Sequence, residues 1–344
     1  MADFTPARIG QVNGAGDARA LFLEKFGGDV ITRLLDKIDT EGMTRNKTLS
    51  GGKSYRFPYT GSLKASYHVP GTELTGQVTN QNEKIIGLDD LMVVDRFVPK
   101  IDKWMNHYDE ASIYADEMAN ALAYVMDVNV FHEAVLGARV SSPLVTGNDD
   151  AIGLVITNDK FLLTGAGPGA ITDVELAEAY RGALKTASAE FKKKRVPDGL
   201  KKICYVDWDD YHNMLNAVDT NGFSLFNKDY ANGSIEQGML PPLFGIRIKG
   251  TNNLPTTDLS AIASPQTPDT GVHFYHQGDF TKTRGLIMCE GAVATVMASD
   301  ITMESDGYSA RSKGELLTAD YFAGHGWLRP EYLVELELDT LVNP

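Results

Sequence analysis

A chain of 344 residues can bury one large core or two smaller ones. With 43% hydrophobic and 23% charged residues it reads as an ordinary soluble globular protein, and its apolar runs fall far below the ~18 residues that span a bilayer, so no membrane role is expected. A net charge of −14 excludes a general nucleic-acid binder, because affinity for phosphate needs clustered Lys and Arg; a surface that faces nucleic acid and repels it stays open.

The opening Met1–Thr5 lacks the basic and apolar regions of a secretory signal, so synthesis and use in a cytoplasm are expected. Residues 1–18 are small, polar and without a period, and read as a mobile arm. Ala20 to Ile38 is an amphipathic helical piece broken by Gly27 and Gly28, with Leu21, Phe22, Phe26, Val30, Leu34 and Leu35 along one stripe. Having little core of its own, this piece is expected to pack on the main body or on a neighbouring chain.

Residues 49–74, LSGGKSYRFPYTGSLKASYHVPGTEL, are β-prone, with Tyr55, Phe57 and Tyr59 on one face and Ser54, Arg56 and Pro58 on the other. A polar, turn-rich stretch from Thr75 to Asn82 leads into EKIIGLDDLMVVDRFV at 83–98, whose apolar residues also suit a strand. Together they predict a long hairpin with little hydrophobic backing. A lone two-stranded ribbon is marginal in water and needs another surface to hold it.

From Asn106 to Gly137, Ala111, Tyr114, Ala115, Met118, Leu122, Val125 and Met126 recur at three- and four-residue steps. Asn106 can cap this helix, Asp109 and Glu110 suit its first turn, and Gly137 is the expected stop. It is the element around which the rest is organised.

After a loop to Asp150 and short strands within Ile152–Phe161, a helix capped near Thr172 or Asp173 runs to Lys192 and ends in the basic cluster Lys192–Arg195. A strand at Lys202–Trp208 follows, with Cys204 as a buried residue, and Asp207–Tyr211 opens a further helix, giving a compact α+β unit. Residues 220–285 are loop-rich with short strands at Gly245–Lys249 and Gly271–Tyr275. Gly285–Met297 reads as one buried-strand run. Near the end, Val334, Leu336 and Leu338 alternate with Glu335 and Glu337, a half-buried strand.

No catalytic constellation emerges. TGAGPGA at 164–170 has neither G-x-G-x-x-G nor a following Gly-Lys-Ser/Thr, and Pro168 removes an amide that a phosphate would need. His273 and His276 lack a third ligand nearby in sequence, and Asp207, Asp209 and Asp210 suit the dipole of a helix start. Two cysteines are too few for a disulfide framework or a zinc cluster. No cofactor and no metal are expected.

Several blocks together resemble the major capsid proteins of short-tailed phages of the T-seven group. They are ALFLEKFGGDVIT at 20–32, SGGKSYRFPYTGSLKASYHVPGTEL at 50–74, MNHYDEASIYADEMANALA at 105–123, VPDGLKKICYVDWDDYHNML at 196–215 and GHGWLRPE at 324–331. The order is right over nearly the whole chain, and 219–285 is the weakest part. The resemblance implies an α+β, HK97-like capsid fold: an N-terminal arm at 1–48, an E-loop hairpin at 49–86 lying over the neighbouring subunit, a peripheral domain at 87–157 with the spine helix at 106–137, an axial domain at 158–290, and a return to the peripheral domain at 291–344. It implies a non-enzymatic protein that self-assembles into hexamers and pentamers of an icosahedral head enclosing double-stranded DNA, built in the host cytoplasm.

The expected partners are further copies, a separate scaffolding protein, a portal protein and a decoration protein. Candidate assembly residues are Phe22 and Phe26 in the arm, Tyr55, Arg56, Phe57 and Tyr59 in the E-loop, and His325, Trp327 and Arg329 near the C-terminus. An encapsulin-type nanocompartment shell shares the implied fold and is the first rival. A nucleotide-dependent enzyme using residues 164–170 is the second.

Overall fold

The computed structural model describes residues 39–105, 110–161, 171–217, 238–261, 274–308 and 313–339, save 64, 75, 147 and 149. The expected arm helix at 20–38 and the glycine-rich stretch at 164–170 lie outside these residues, as do Phe22 and Phe26. The described elements, in chain order, are strands β1 (Arg45–Thr48), β2 (Ser54–Thr60), β3 (Gln81–Gly87) and β4 (Met92–Pro99), then helices α1 (Lys100–Met105) and α2 (Glu110–Ala138). There follow β5 (Leu154–Asn158), α3 (Asp173–Lys193), β6 (Lys202–Val206), α4 (Trp208–Asn216), β7 (Arg247–Gly250), β8 (Thr283–Cys289), β9 (Val293–Tyr308), β10 (Gly314–Trp327) and β11 (Leu333–Leu338). Contacts divide them into two compact units.

The smaller unit takes Asp89–Met126 and Met297–Ala323. Here β10 lies between β9 and β4, antiparallel to β4 from Gly314 opposite Pro99 to Tyr321 opposite Met92. Helix α2 lends its first turns, where Tyr114, Met118 and Leu122 follow one another at four-residue steps and pack with Val98, Ala319, Tyr321 and Ala323. The Arg96 guanidinium sits 4.9 Å from the Tyr114 ring centroid.

The larger unit takes Asp39–Leu88, Asp127–Val296 and the chain from Gly324 onward. Its core sheet has the order β5-β11-β8-β6-β7, mixed in direction: β11 runs parallel to β5 and antiparallel to β8. Helix α3 begins as its sequence dictates. Thr172 is the N-cap, Glu175 returns the hydrogen bond in a capping box, and Leu176, Tyr180, Leu184, Ala187 and Phe191 form one buried face.

The second half of α2 enters this core, and here the one-sided pattern ends: residues 129–135 are buried without interruption. The expected stop at Gly137 is not one, since the helix continues to Ala138. A Cβ at Gly137 would come within 2.6 Å of Leu333 Cδ1 and 2.7 Å of Trp327 Cβ, so this glycine serves close packing rather than termination.

Four other expectations are corrected. The run 83–98 is two strands, not one: β3 pairs with β2, and β4 pairs with β10. Residues 285–297 turn at Gly291, φ +78°, between β8 and β9, so this apolar run is a strand, a turn and the start of another strand. Phe274–His276 is a short 3-10 turn instead of strand. Glu335, expected on a wet face, is wholly buried because β11 has a strand on either side and Arg139 supplies its counter-charge, 2.6 Å away.

The chain enters the larger unit through a polar knot. Buried Asp127 accepts from the Thr40 N–H at 3.0 Å, the Thr40 hydroxyl and Asn253 Nδ2 at 2.8 Å. Asp39 pairs with Lys249 at 2.7 Å and accepts from the Thr251 hydroxyl. A buried carboxylate is tolerated here because several donors converge on it.

Candidate assembly interface

The β2–β3 hairpin has two parts with opposite environments. At its root, Tyr55 lies opposite Ile86, Phe57 opposite Lys84 and Tyr59 opposite Asn82. The predicted alternation holds: Phe57 is 7% exposed and packs with Ile86, Ala294, Val296 and Leu328, with Tyr55 and Tyr59 against that cluster. The Tyr55 and Phe57 rings are 4.7 Å apart. The Tyr59 hydroxyl donates to the Leu328 carbonyl, and burial, with Glu331 nearby, pushes its phenol up to about 12. Arg56 points outward and pairs across the strands with Glu83 at 2.6 Å. Of the four hairpin candidates, therefore, Phe57 is used up within its own chain, Tyr55 and Tyr59 are half-buried, and Arg56 is exposed.

A charged chain of contacts locks this root in place. The Lys84 ammonium sits 3.5 Å from the Trp327 ring centroid, and burial lowers its pKa while Glu133 opposes the shift. Trp327 N–H donates to Glu133 Oε2 at 3.3 Å, and His276 Nδ1 is 2.9 Å from Glu133 Oε1. The His276 ring centroid is 6.1 Å from that of His325, whose Nδ1 lies 3.1 Å from the Thr295 hydroxyl. Next to Glu133 on α2, His132 donates to the Val128 carbonyl at 2.7 Å, and burial drops its pKa to about 4. His325 is buried and Trp327 partly so, both within the larger unit. Arg329 is exposed, 3.7 Å from Glu331 and 3.2 Å from the Tyr332 hydroxyl.

Beyond the root the backing ends. Gly61 N–H still donates to the Asn80 carbonyl at 2.8 Å, and the Asn80 and Asn82 amides donate to the carbonyls of Thr146 and Leu144. Between Gly61 and Asn80 no described residue belongs to a strand. Leu63, Tyr67, Val69, Leu74 and Val78 are all exposed, from 63% at Val69 to full exposure at Tyr67. Single exposed apolar residues are ordinary, but five within sixteen positions of one loop mark a contact surface. The sequence carries this signal as apolar residues set among turn formers. Glu133 and Lys84 carried no local signal; their partners come from distant parts of the chain.

Among the described residues, no three His, Cys, Asp or Glu side chains gather as a metal site, and no helix is long and apolar enough to cross a membrane. Of the acidic trio, Asp207 caps α4 through Trp208 N–H, while Asp210 is buried, accepts from the Tyr180 hydroxyl at 2.6 Å and is raised by burial to about 6.

A hairpin with a fixed root and a bare apolar tip suits a subunit whose missing surface belongs to another copy. The family model for Gp10A-like major capsid proteins matches residues 56–337. The chain belongs to that family. The capsid protein is 30% identical to the major capsid protein of Escherichia phage T7 over 331 residues, 93% of this chain and 92% of the relative. To the major capsid protein of Enterobacteria phage T3 it is 29% identical, over 94% and 92%. Among solved structures, the capsid of cyanophage P-SCSP1u superposes with a TM-score of 0.76 at 32% identity, covering 98% and 99% of the two chains. The mature capsid of bacteriophage PhiM1 superposes at 0.71 with 15% identity, over 97% of each chain, which speaks to the fold alone. The capsid protein therefore has the HK97-like capsid fold, and its function is to build the wall of a phage head.

Proposed function

We propose that this capsid protein assembles as hexamers and pentamers of an icosahedral shell by laying the tip of its β2–β3 hairpin, the E-loop, on an adjacent copy. The supporting observation is the loop at 61–80, held at its root and carrying five apolar side chains that its own chain leaves in water. Burying each is worth about 1.5–3 kcal/mol, so a neighbour's surface would gain roughly 10 kcal/mol before ordering costs. This reading moves the assembly contact outward: Phe57 and His325 shape the root, while Leu63, Tyr67, Val69, Leu74 and Val78 meet the neighbour. Phe22 and Phe26 keep their proposed role in an arm at 1–48. We propose with it the wider domain scheme of a peripheral domain at 87–157 and 291–344 and an axial domain at 158–290.

The chain acts by assembly and not by turnover. Its charge of −14 suits a wall that encloses double-stranded DNA without gripping it, because an attractive wall would hinder entry and exit of the genome. We read a scaffolding protein, a portal protein and a decoration protein as its partners, and the host cytoplasm as the place of assembly.

Removing residues 62–79 so that Gly61 joins Asn80, which are already hydrogen-bonded, tests the reading. The variant should keep its circular dichroism and lose closed shells in electron micrographs. Normal shells would refute the E-loop assignment.

A further inference from the structure

The β2–β3 hairpin is a sheet of two strands, so among the described residues no ladder of backbone hydrogen bonds sets its angle to the rest of the larger unit. Side chains and steric fit set it instead. The angle matters because the tip is far from the root. At about 3.3 Å per residue, the stretch from Lys84 to the turn at Gly71 spans roughly 40 Å at most, and a swing of about 5° at the root then moves the tip by about 3.5 Å. A gap of about 0.5–1 Å already forfeits a quarter to a half of a van der Waals contact, so a misdirected tip loses its apolar partner.

The end of β10, Gly324-His325-Gly326-Trp327, lies against this root. Gly324 and Gly326, two apart, share one face of the strand. A Cβ on Gly324 would stand 1.9 Å from the Gly87 carbonyl oxygen and 2.9 Å from Leu88 Cα, so the end of β3 rests on bare backbone. A Cβ on Gly326 would stand 2.8 Å from Ile86 Cγ1 and 2.9 Å from its Cδ1, and Ile86 is buried. Neither glycine has a positive φ, so close approach and not backbone conformation requires them. Next in line, the Trp327 ring carries the Lys84 ammonium, while Glu133 holds the Trp327 N–H. The two strands therefore touch at three successive points: Gly87 on Gly324, Ile86 on Gly326 and Lys84 on Trp327. Contacts spaced along a rod fix its direction, where a single contact leaves it free to pivot.

We propose that Gly324–Trp327 is the seat that aims the E-loop hairpin at the neighbouring copy. Gly324 and Gly326 admit β3 against β10, and Trp327 holds it through Lys84. Trp327 then serves assembly as a positioning residue, without itself meeting a neighbour. This role rests on the E-loop reading above and adds what directs the tip.

The test uses the full chain under conditions where the unaltered protein forms shells. Gly326→Ala should keep its circular dichroism and lose most closed shells in electron micrographs, because the methyl displaces Ile86. Adding Ile86→Ala vacates that space and should bring the shells back. The direction itself is read as the distance between nitroxides on Gln81→Cys, exposed at the tip end of β3, and Lys185→Cys, exposed on α3; both native cysteines are buried. Gly326→Ala should change the mean distance in the unassembled chain by about 1 Å or more, the overlap that Ile86 must relieve, and the double variant should return it. A normal yield of shells from Gly326→Ala, an unmoved distance, or a folded double variant without shells would overturn the proposal. If Gly326→Ala fails to fold, Lys84→Met decides. Losing the hold on the ring should lower the yield of shells at least about twofold and widen the spread of the same distance, and no change in either would overturn the proposal. Run in parallel, the 62–79 deletion separates the two ideas, since shells from that deletion sink the E-loop reading, whereas shells from Gly326→Ala sink the seat alone.

Discussion

The ammonium of Lys84 rests 3.5 Å from the centre of the Trp327 ring, while the backbone N–H of the same tryptophan donates to Glu133. A strand of the hairpin is thereby tied to the C-terminal end of β10 and to the long helix by one cation, one ring and one carboxylate. A cation–π contact contributes about 0.5–2 kcal/mol, and burial of the ammonium works against it. Lys84→Met should therefore cost no more than about 1 kcal/mol in urea unfolding. Lys84→Glu brings a second carboxylate toward Glu133 and should cost at least about 2 kcal/mol. Equal stability for the two variants would show that Glu133 does not act on this position.

At Gly137 two known effects oppose each other. In a helix interior, Gly→Ala ordinarily gains about 0.8–1 kcal/mol. Here the new Cβ would lie 2.6 Å from Leu333 Cδ1 and 2.7 Å from Trp327 Cβ, and overpacking of this kind costs about 1–3 kcal/mol. We expect Gly137→Ala to destabilise the protein, with the midpoint of chemical unfolding moving to lower urea. A rise in the midpoint would mean that β10 and β11 shift freely away from the helix.

The Arg139–Glu335 pair separates a buried ion pair's worth from the cost of breaking it. Arg139 donates to both Glu335 oxygens, at 2.7 and 2.6 Å, and Thr283 donates to one of them. Arg139→Met leaves a carboxylate without solvent or counter-charge and should cost about 3–5 kcal/mol. Adding Glu335→Leu should recover most of that loss, as read by the double-mutant cycle. An additive cycle would contradict the coupling.

Acid stability should depend on His132. Burial holds its folded-state pKa at about 4, below the ordinary 6.5, so the unfolded chain binds the extra proton first. The stability that neutral His132 contributes is complete above pH 6.5, declines as pH falls through the interval to 4, and amounts to about 3 kcal/mol at most. Asp210 has the opposite sign, because its raised value of about 6 favours the fold at low pH and loses that contribution as pH rises from 3.8 through 6. His132→Phe, which keeps a ring against Phe280, should move the acid unfolding midpoint to lower pH. An unchanged midpoint would assign acid lability to other groups.

Much of this molecule was written locally. The capping box at Thr172 and Glu175, the inward row of Tyr55, Phe57 and Tyr59, and the four-residue steps of Tyr114, Met118 and Leu122 follow from side-chain geometry within a few residues, so periodicity exposes them. The blocks that placed the chain among phage capsid proteins are sequence as well. Tertiary structure alone decided which face is finally covered and by what. Glu335 finds Arg139 196 residues away, and Gly137 is needed only because β10 and β11 come back against the helix. The apolar tip of the hairpin was visible as composition, yet only the fold showed that its root is satisfied and its end is not. Local pattern records what a residue's immediate neighbours favour, whereas burial and counter-charge come from segments brought close by folding, and no short stretch of sequence contains them.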